Sequence, residues 1–417
     1  MHTSIAIIGA GPAGMTAALH AAKAGARVIL LDANIVVGRK LLVTGSGRAN
    51  LSNRSVSAER YTCADTAWMQ VLLQRFSHAE LLCFLEDMGV LTCSTSDGWI
   101  YPISDSAQSV AAAFESALRR AGVTQLLEHH VTAIRKIDTG FLLKIANRED
   151  LACDRLILAA GGKAYPTLGS RGELFPALKT LGHTVLPLVP ALAPVTCEMR
   201  EYRKLQGVRL DARVTLFKVG TRHQDERAQP VAPLQMVAET TGNIIFTEWG
   251  LNGPGVMDLS HHISRHSDDR FEIHLNFLPR DEKAVRALVK KHRKDALPLF
   301  VVPGSSLPPK LARFVIEKAS LRAEATLSQT SDAQLETLFN LITALPLQVT
   351  GVRGFEYCQV SAGGVPVTEV DAATMQSLRV PGLYLVGETL DVVGPCGGYN
   401  LQFAFSSGAV AGMAVFK

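Results

Sequence analysis

Three glycines and one acid carry the first chemical signal in this chain. The run Ile5-Ala-Ile-Ile-Gly9-Ala-Gly11-Pro12-Ala13-Gly14 passes from apolar residues into a glycine turn, and Val28-Ile-Leu-Leu-Asp32 ends on a carboxylate. Glycines at this spacing let backbone N–H groups approach a diphosphate, and the acid is placed to accept hydrogen bonds from a ribose diol. A second anion-facing stretch follows, with Gly38, Arg39, Lys40, Thr44, Gly45, Gly47, Arg48 and Asn50. Arg48 there can fork onto phosphate or hold a loop carboxylate. Ala160-Gly161-Gly162 would let the backbone pass close beside a bound cofactor. Near the C-terminus, Gly387, Glu388 and Asp391 precede Gly397-Gly398-Tyr399-Asn400-Leu401. Either acid there could hold a ribityl chain, and a helix opened by those glycines could meet the electron-rich edge of a flavin. Three residues are candidates for moving a proton: Tyr399, Tyr165 and Glu248.

These residues need an α/β frame. The glycine turn requires an apolar strand before it, a small-residue helix of about 12 residues after it, and a second strand ending at Asp32. Ser77-His-Ala-Glu80 reads as a capping box opening a helix that stops near Gly89. A second helix is expected from Ser104 to Arg120, with a turn at Asp97-Gly98 between them. Strands are expected over Glu128–Ile134, Phe141–Ile145 and Asp154–Ala160. Proline crowding at Leu186–Pro194 marks a crossing into an inserted domain of short strands: Val214–Val219, Gln235–Ala238, Asn243–Phe246 and Phe271–Leu275. Helical patterns follow at Pro308–Arg322 and Ser331–Ala344, and a last helix at Phe403–Phe416. The segment Arg280–Lys294 is a basic helix with seven Lys or Arg against two acids. It reads as a solvated face, with an anion or RNA contact as the alternative.

Composition narrows the class. The 417 residues are 47% hydrophobic and 19% charged, with a formal charge of +4. That charge is too small to call for nucleic acid or a membrane surface. Seven scattered cysteines without a CxxC pair argue for a reducing compartment and against a zinc or dithiol centre. With no run of 18 apolar residues, the expectation is a cytoplasmic protein without a membrane span or metal site, acting on a small molecule. The sequence leaves its oligomeric state open.

The chain resembles the BaiN/YhiN-like NAD(P)/FAD-dependent flavoproteins, a family that includes bile-acid enone reductases and proteins called aminoacetone oxidases. The resemblance runs from end to end. It is carried by Gly9–Gly14, Gly38–Asn50, Leu158–Pro166, Gly182-His183, Gly253-Pro254 and Gly382–Gln402. It implies a discontinuous Rossmann-like FAD-binding domain (1–190 and 355–417), an inserted β-barrel domain (191–278 and 332–354) and a small helical domain (279–331). The glycine and loop residues above, with Ala33 and Val131, are the expected FAD contacts. Ala49 stands where the family often has cysteine, Ala160 where it has threonine, and Asp32 where glutamate is usual. No second GxGxxG follows, so NAD(P)H is expected as a transient reductant. The leading expectation is hydride transfer from NAD(P)H through flavin N5 to an activated C=C. Rival expectations are an amine oxidase using O2, an RNA-acting flavoprotein, and a flavin-binding sensor without turnover.

Overall fold

The computed structural model describes residues 4–220 and 234–416. The chain divides into two compact units, one formed by 1–190 with 355–417 and the other by 191–354.

In the first unit, five parallel strands form one sheet in the order Leu383–Leu385, Arg155–Leu158, Ser4–Ile8, Arg27–Leu31, Thr124–Leu126. Apart from the edge strand Thr124–Leu126, the strands are short, largely apolar runs without alternation, as a sheet covered on both faces requires. Ile5, Ile7, Leu30 and Leu31 are fully buried. The first helix, Pro12–Lys23, packs against the C-terminal helix, Tyr399–Ala414, so the two ends of the sequence share one seam. Small residues make that seam: a Cβ at Gly408 or Gly412 would strike the carbonyl oxygen of Ala13 or Ala17. Behind it, Phe114 and Phe405 stack with ring centres 5.9 Å apart. The C-terminal helix begins four residues earlier than its apolar pattern predicts, because Gly398, in the left-handed region at φ 95°, serves as its N-cap. Tyr399, Asn400 and Leu401 therefore form its first turn.

Two antiparallel sheets complete this unit. Ser52–Asn53, Trp99–Pro102 and Thr92–Ser94 make one, and Val131–Ile137, Gly140–Ile145 and Leu151–Cys153 the other. The helix His78–Asp87 opens with the expected capping box, Ser77 and Glu80 each bonding the other's backbone N–H.

The second unit contains a closed six-stranded barrel in the order Val195–Cys197, Gly250–Asn252, Leu234–Phe246, Arg209–Val219, Arg270–Asn276, Leu345–Val352. Its lining follows the strand period of two: Ala212, Val214, Leu216, Ile273 and Leu275 are buried on alternating positions. The short strands expected at 235–238 and 243–246 are one strand of 13 residues. Helices Glu282–Lys291, Val301–Ser306, Pro309–Lys318 and Asp332–Thr343 belong to the same unit, the last opened by a Ser331/Gln334 capping box. Among the described residues no helix is long and apolar enough to cross a membrane.

Candidate active site

The site is built at the carboxyl ends of the parallel strands, where open α/β sheets bind ligands. The first strand turns through Gly9 into the first helix, whose N-cap, Gly11, offers no side-chain cap and whose first turn carries no acid. Nothing lies within 4 Å of the position a Cβ on Gly11 would take, whereas a Cβ on Gly14 would strike the Gly9 carbonyl oxygen. Gly14 thus lets the helix pack on the turn, and Gly11 leaves open space in front of unpaired N–H groups at the positive end of the helix dipole.

Asp32 is tied into this turn. Its Oδ2 accepts from the Ala10 N–H at 2.6 Å and its Oδ1 from the Asn34 N–H and Nδ2, both at 2.8 Å. Arg39 reaches the same corner by donating to Asn34 Oδ1 at 2.7 Å. Ala33 is exposed beside it, and the nearby Val131 is buried at the start of its strand, where it pairs with Ile145.

Three distant segments converge on Glu388. Its Oε2 meets Lys40 Nζ at 2.6 Å, and its Oε1 accepts from the Ser361 N–H at 2.8 Å and the Ser361 hydroxyl at 2.9 Å. A Cβ on Gly162 would come within 2.7 Å of that same Oε1. Gly161, at φ 76°, and Ala160 bring the chain past this point, and Gly387 precedes the acid. Asp391 Oδ1 accepts from the Gly363 N–H at 2.7 Å. Both acids read as ribityl partners hold the strand Val360–Gly364, and Glu388 holds Lys40 as well.

The loop from Thr44 to Asn50 turns through left-handed conformations at Gly45, Ser46, Gly47 and Ala49. Thr44 closes it by donating to the Leu41 carbonyl at 2.7 Å, and Gly38 begins it by donating to the Ala10 carbonyl at 2.8 Å. Arg48, read as a phosphate or carboxylate fork, lies over Tyr101, its Cζ 4.3 Å from the ring centre, with its Nη1 3.8 Å from the Asp105 carboxylate. It donates to the Tyr101 hydroxyl and to the Gly45 carbonyl, each at 3.2 Å. Asn50 is buried, its Oδ1 has no hydrogen-bond partner, and it lies 2.8 Å from where a Cβ of Gly398 would be.

At the C-terminal helix, Tyr399 is buried and donates its hydroxyl hydrogen to the Ser55 carbonyl at 3.3 Å, while its own carbonyl accepts from Tyr61 at 2.9 Å. Asn400 closes the preceding loop through Gly394, accepting from its N–H at 2.9 Å and donating to its carbonyl at 2.7 Å. Gly397 passes beside Trp99, and Leu401 is half-buried. Tyr165 sits at φ 54°, rare for an aromatic residue, and donates its N–H to the Phe355 carbonyl at 3.0 Å. Burial pushes its phenol up, with the Cys358 thiol adding to the shift. Such strain concentrates at functional positions. Glu248 belongs to the other unit, exposed in the turn between Leu234–Phe246 and Gly250–Asn252.

Sequence reasoning missed Trp99, Tyr101 and Ser361. The first two alternate along one strand and so share a face, with ring centres 6.5 Å apart. That period was available in the sequence, whereas Ser361 carried no local signal.

Comparison with known proteins agrees with this architecture. Residues 3–414 match the family described as HI0933-like protein Rossmann domain. The chain is 35% identical to a 3-dehydro-bile acid delta(4,6)-reductase of Clostridium scindens, covering 98% of each chain. It is 29% identical to a ribosomal RNA dihydrouridine synthase of Escherichia coli, covering 96% of this chain and 95% of the relative. A 3-ketosteroid-delta4-(5alpha)-dehydrogenase of Rhodococcus jostii shares its fold, with a TM-score of 0.51, 14% identity, and coverage of 100% of this chain and 97% of that one. With its glycine turn, its parallel sheet and its closed barrel, the chain belongs to the HI0933-like Rossmann-domain family and is an oxidoreductase.

Proposed function

We infer that the protein is an FAD-dependent reductase of a C=C bond conjugated to a carbonyl in a small organic substrate, with NAD(P)H as the transient reductant. One observation carries this reading: the helices at the two ends of the chain pack on each other, and both begin on glycine N-caps that offer no side-chain cap. Two uncapped dipole ends in one unit suit one ligand with two electron-rich parts, a diphosphate and a flavin edge. The open position at Gly11 and the unpartnered Asn50 Oδ1 fit that ligand.

In this reading Gly9, Gly11, Pro12, Ala13 and Gly14 hold the diphosphate, and Asp32, Ala33 and Arg39 form the ribose corner. Gly38, Thr44, Gly45, Gly47 and Asn50 line the second loop, and Val131 flanks the adenine. Ala160, Gly161, Gly162 and Gly387 let the chain pass close, while Lys40, Glu388 and Asp391 lock that crossing. Gly397, Gly398, Tyr399, Asn400 and Leu401 present backbone N–H groups to the ring. Bound FAD supplies hydride exchange at N5. Tyr399, with its hydrogen on Ser55, serves the frame rather than proton transfer.

Anaerobic mixing tests the reading. Bleaching by NADH or NADPH, followed by reoxidation with an enone from a panel, supports it. Bleaching by a primary amine alone, with peroxide formed in air, would replace it with the oxidase.

A second reading has its own observation. Uridine C5=C6 is also conjugated to a carbonyl, and the E. coli relative is a ribosomal RNA dihydrouridine synthase. In the second unit Arg280, Lys283, Lys290, Lys291 and Lys294 are exposed, while their neighbours Arg286 and Arg293 are tied to Glu336 and Asp332. That face suits an RNA backbone. Dihydrouridine formed in ribosomal RNA, with no enone reduced, would favour this reading.

A further inference from the structure

We propose that Arg48 is a catalytic residue: its guanidinium stabilises the negative charge that develops on the substrate's carbonyl oxygen, and Tyr101 and the Gly45 carbonyl are its positioning partners. The inference rests on reduction of a conjugated C=C as proposed above, and adds the group that makes such a bond accept hydride.

Arg48 is clamped on two sides. Its Nε donates to the Gly45 carbonyl and its Nη2 to the Tyr101 hydroxyl, each at 3.2 Å, while the plane rests on the Tyr101 ring. Both acceptors are neutral, so the clamp fixes the cation without cancelling it. The nearest acid, Asp105, stands 3.8 Å away and is itself largely exposed, which makes it a weak, solvent-screened partner. A guanidinium has five N–H donors, and these two contacts leave others unused. Its side chain remains 44% exposed although the tyrosine beneath it is buried.

The loop that carries it packs on the helix Ala107–Arg120, and its end, Asn50, meets the N-cap of the C-terminal helix. Gly45 packs on Tyr101 and on Asn50, and the unpartnered Asn50 oxygen lies beside Gly398, that helix's N-cap. The fixed cation thus sits on the loop whose end, at Asn50, meets the helix N-cap where the reading above puts the flavin edge. A phosphate fork would need the guanidinium swung away from Tyr101, and a plain surface arginine would not be held at both Nε and Nη2.

The chemistry balances. As the β-carbon gains a hydride derived from NAD(P)H, the C=C π pair shifts toward the α-carbon and the carbonyl oxygen takes the negative charge. Arg48 stabilises that enolate without giving up a proton. A water molecule then protonates the α-carbon, and the hydroxide left behind is neutralised by the medium. A preorganised donor aimed at developing oxyanion charge contributes about 10²–10³ in rate.

The test uses the full FAD-loaded protein and the variants R48M, R48K and Y101F. With an enone that the wild type reduces, R48M should slow the enone half-reaction by about 10²–10³, far more than it slows bleaching by NAD(P)H. R48K should recover part of that loss, and Y101F, which frees the guanidinium to wander, should lose about tenfold. Binding of 4-fluorophenol, an enolate mimic whose fluorine NMR shift reports ionisation, gives a readout independent of turnover. The wild type should bind it as phenolate at a pH where R48M binds the neutral phenol. Equal enone rates in wild type and R48M, or identical ionisation of the bound phenol in both, would overturn the assignment. If the wild type reduces no enone, the reaction reading fails, and the fluorophenol comparison still decides whether Arg48 holds an oxyanion. Thermal melts of the variants separate a folding defect from either result.

Discussion

Lys40 and Glu388 lie 348 positions apart in the sequence and meet at 2.6 Å, both less than a quarter exposed. The pair ties the loop after the second strand to the last glycine crossing. Ser361 occupies the other oxygen of the acid with two hydrogen bonds. Segments from opposite ends of the sequence are therefore held together at one acid.

Removing that tie should be felt as stability. Glu388→Ala leaves a partly buried ammonium and the Ser361 N–H without their acceptor, and should destabilise the protein by about 2–4 kcal/mol. Glu388→Gln keeps an acceptor and should cost about half as much. Urea unfolding of FAD-saturated protein measures both, and equal losses would show that charge plays no part.

Gly11 and Gly14 should separate ligand binding from folding. Gly11→Val fills open space, so apo-protein stability should hold while FAD affinity falls by about tenfold or more, or about 1.4 kcal/mol upward. Gly14→Ala drives a methyl into the Gly9 carbonyl and should lower the melting temperature with or without FAD. Calorimetry with and without the cofactor distinguishes the two patterns.

Two buried groups set separate acid limits. Burial alone would raise the carboxyl of Glu369, but hydrogen bonds from Thr184, Arg379 and His183 outweigh it and hold the group below the usual range. A carboxylate depressed in the folded state stabilises above its unfolded pKa, and that contribution is lost as pH falls below about 4.5. His261 is buried in the second unit, and burial lowers its pKa to about 3, with His262 and Arg265 adding to the shift. A neutral buried imidazole contributes fully above its ordinary pKa of 6.5, and loses that contribution as pH drops from there toward 3. Stability measured against pH should show both slopes. Glu369→Gln should remove only the lower one and His261→Leu only the upper one.

The basic face should matter to RNA alone. Replacing Arg280, Lys283, Lys290, Lys291 and Lys294 with glutamine should leave enone reduction unchanged. If RNA is a substrate, the same change should flatten the salt dependence of binding by about 0.7 per lost phosphate contact. An unchanged salt slope would exclude this face as the docking surface.

Local signals made much of this legible. The Gly9–Gly14 turn, the Ser77 and Ser331 capping boxes and the alternating barrel strands depend on neighbours within a few residues. Gly242, in the gap left between two expected strands, lies inside one long strand, and its missing side chain makes room for the backbone of Gly255, 3.2 Å from the Cβ position. The glycines pointed to the start of the C-terminal helix, whereas its apolar pattern alone placed that start at Phe403, past the left-handed N-cap Gly398. The partners of the two acids were hidden for a different reason. Glu388 and Asp391 have partners at Lys40, Ser361 and Gly363, and nothing within a local window distinguishes a carboxylate facing a ligand from one holding a strand. Arg48 was visible as a cation in a glycine loop, but its hold on Tyr101 depends on a sheet pairing 53 residues away.

Equilibrium uptake of FAD by the purified apo-protein tests the central claim most directly. Dialysis against excess FAD should yield a yellow protein carrying one FAD per chain, with Gly11→Val carrying measurably less. A wild-type protein that stays colourless under those conditions would contradict the account.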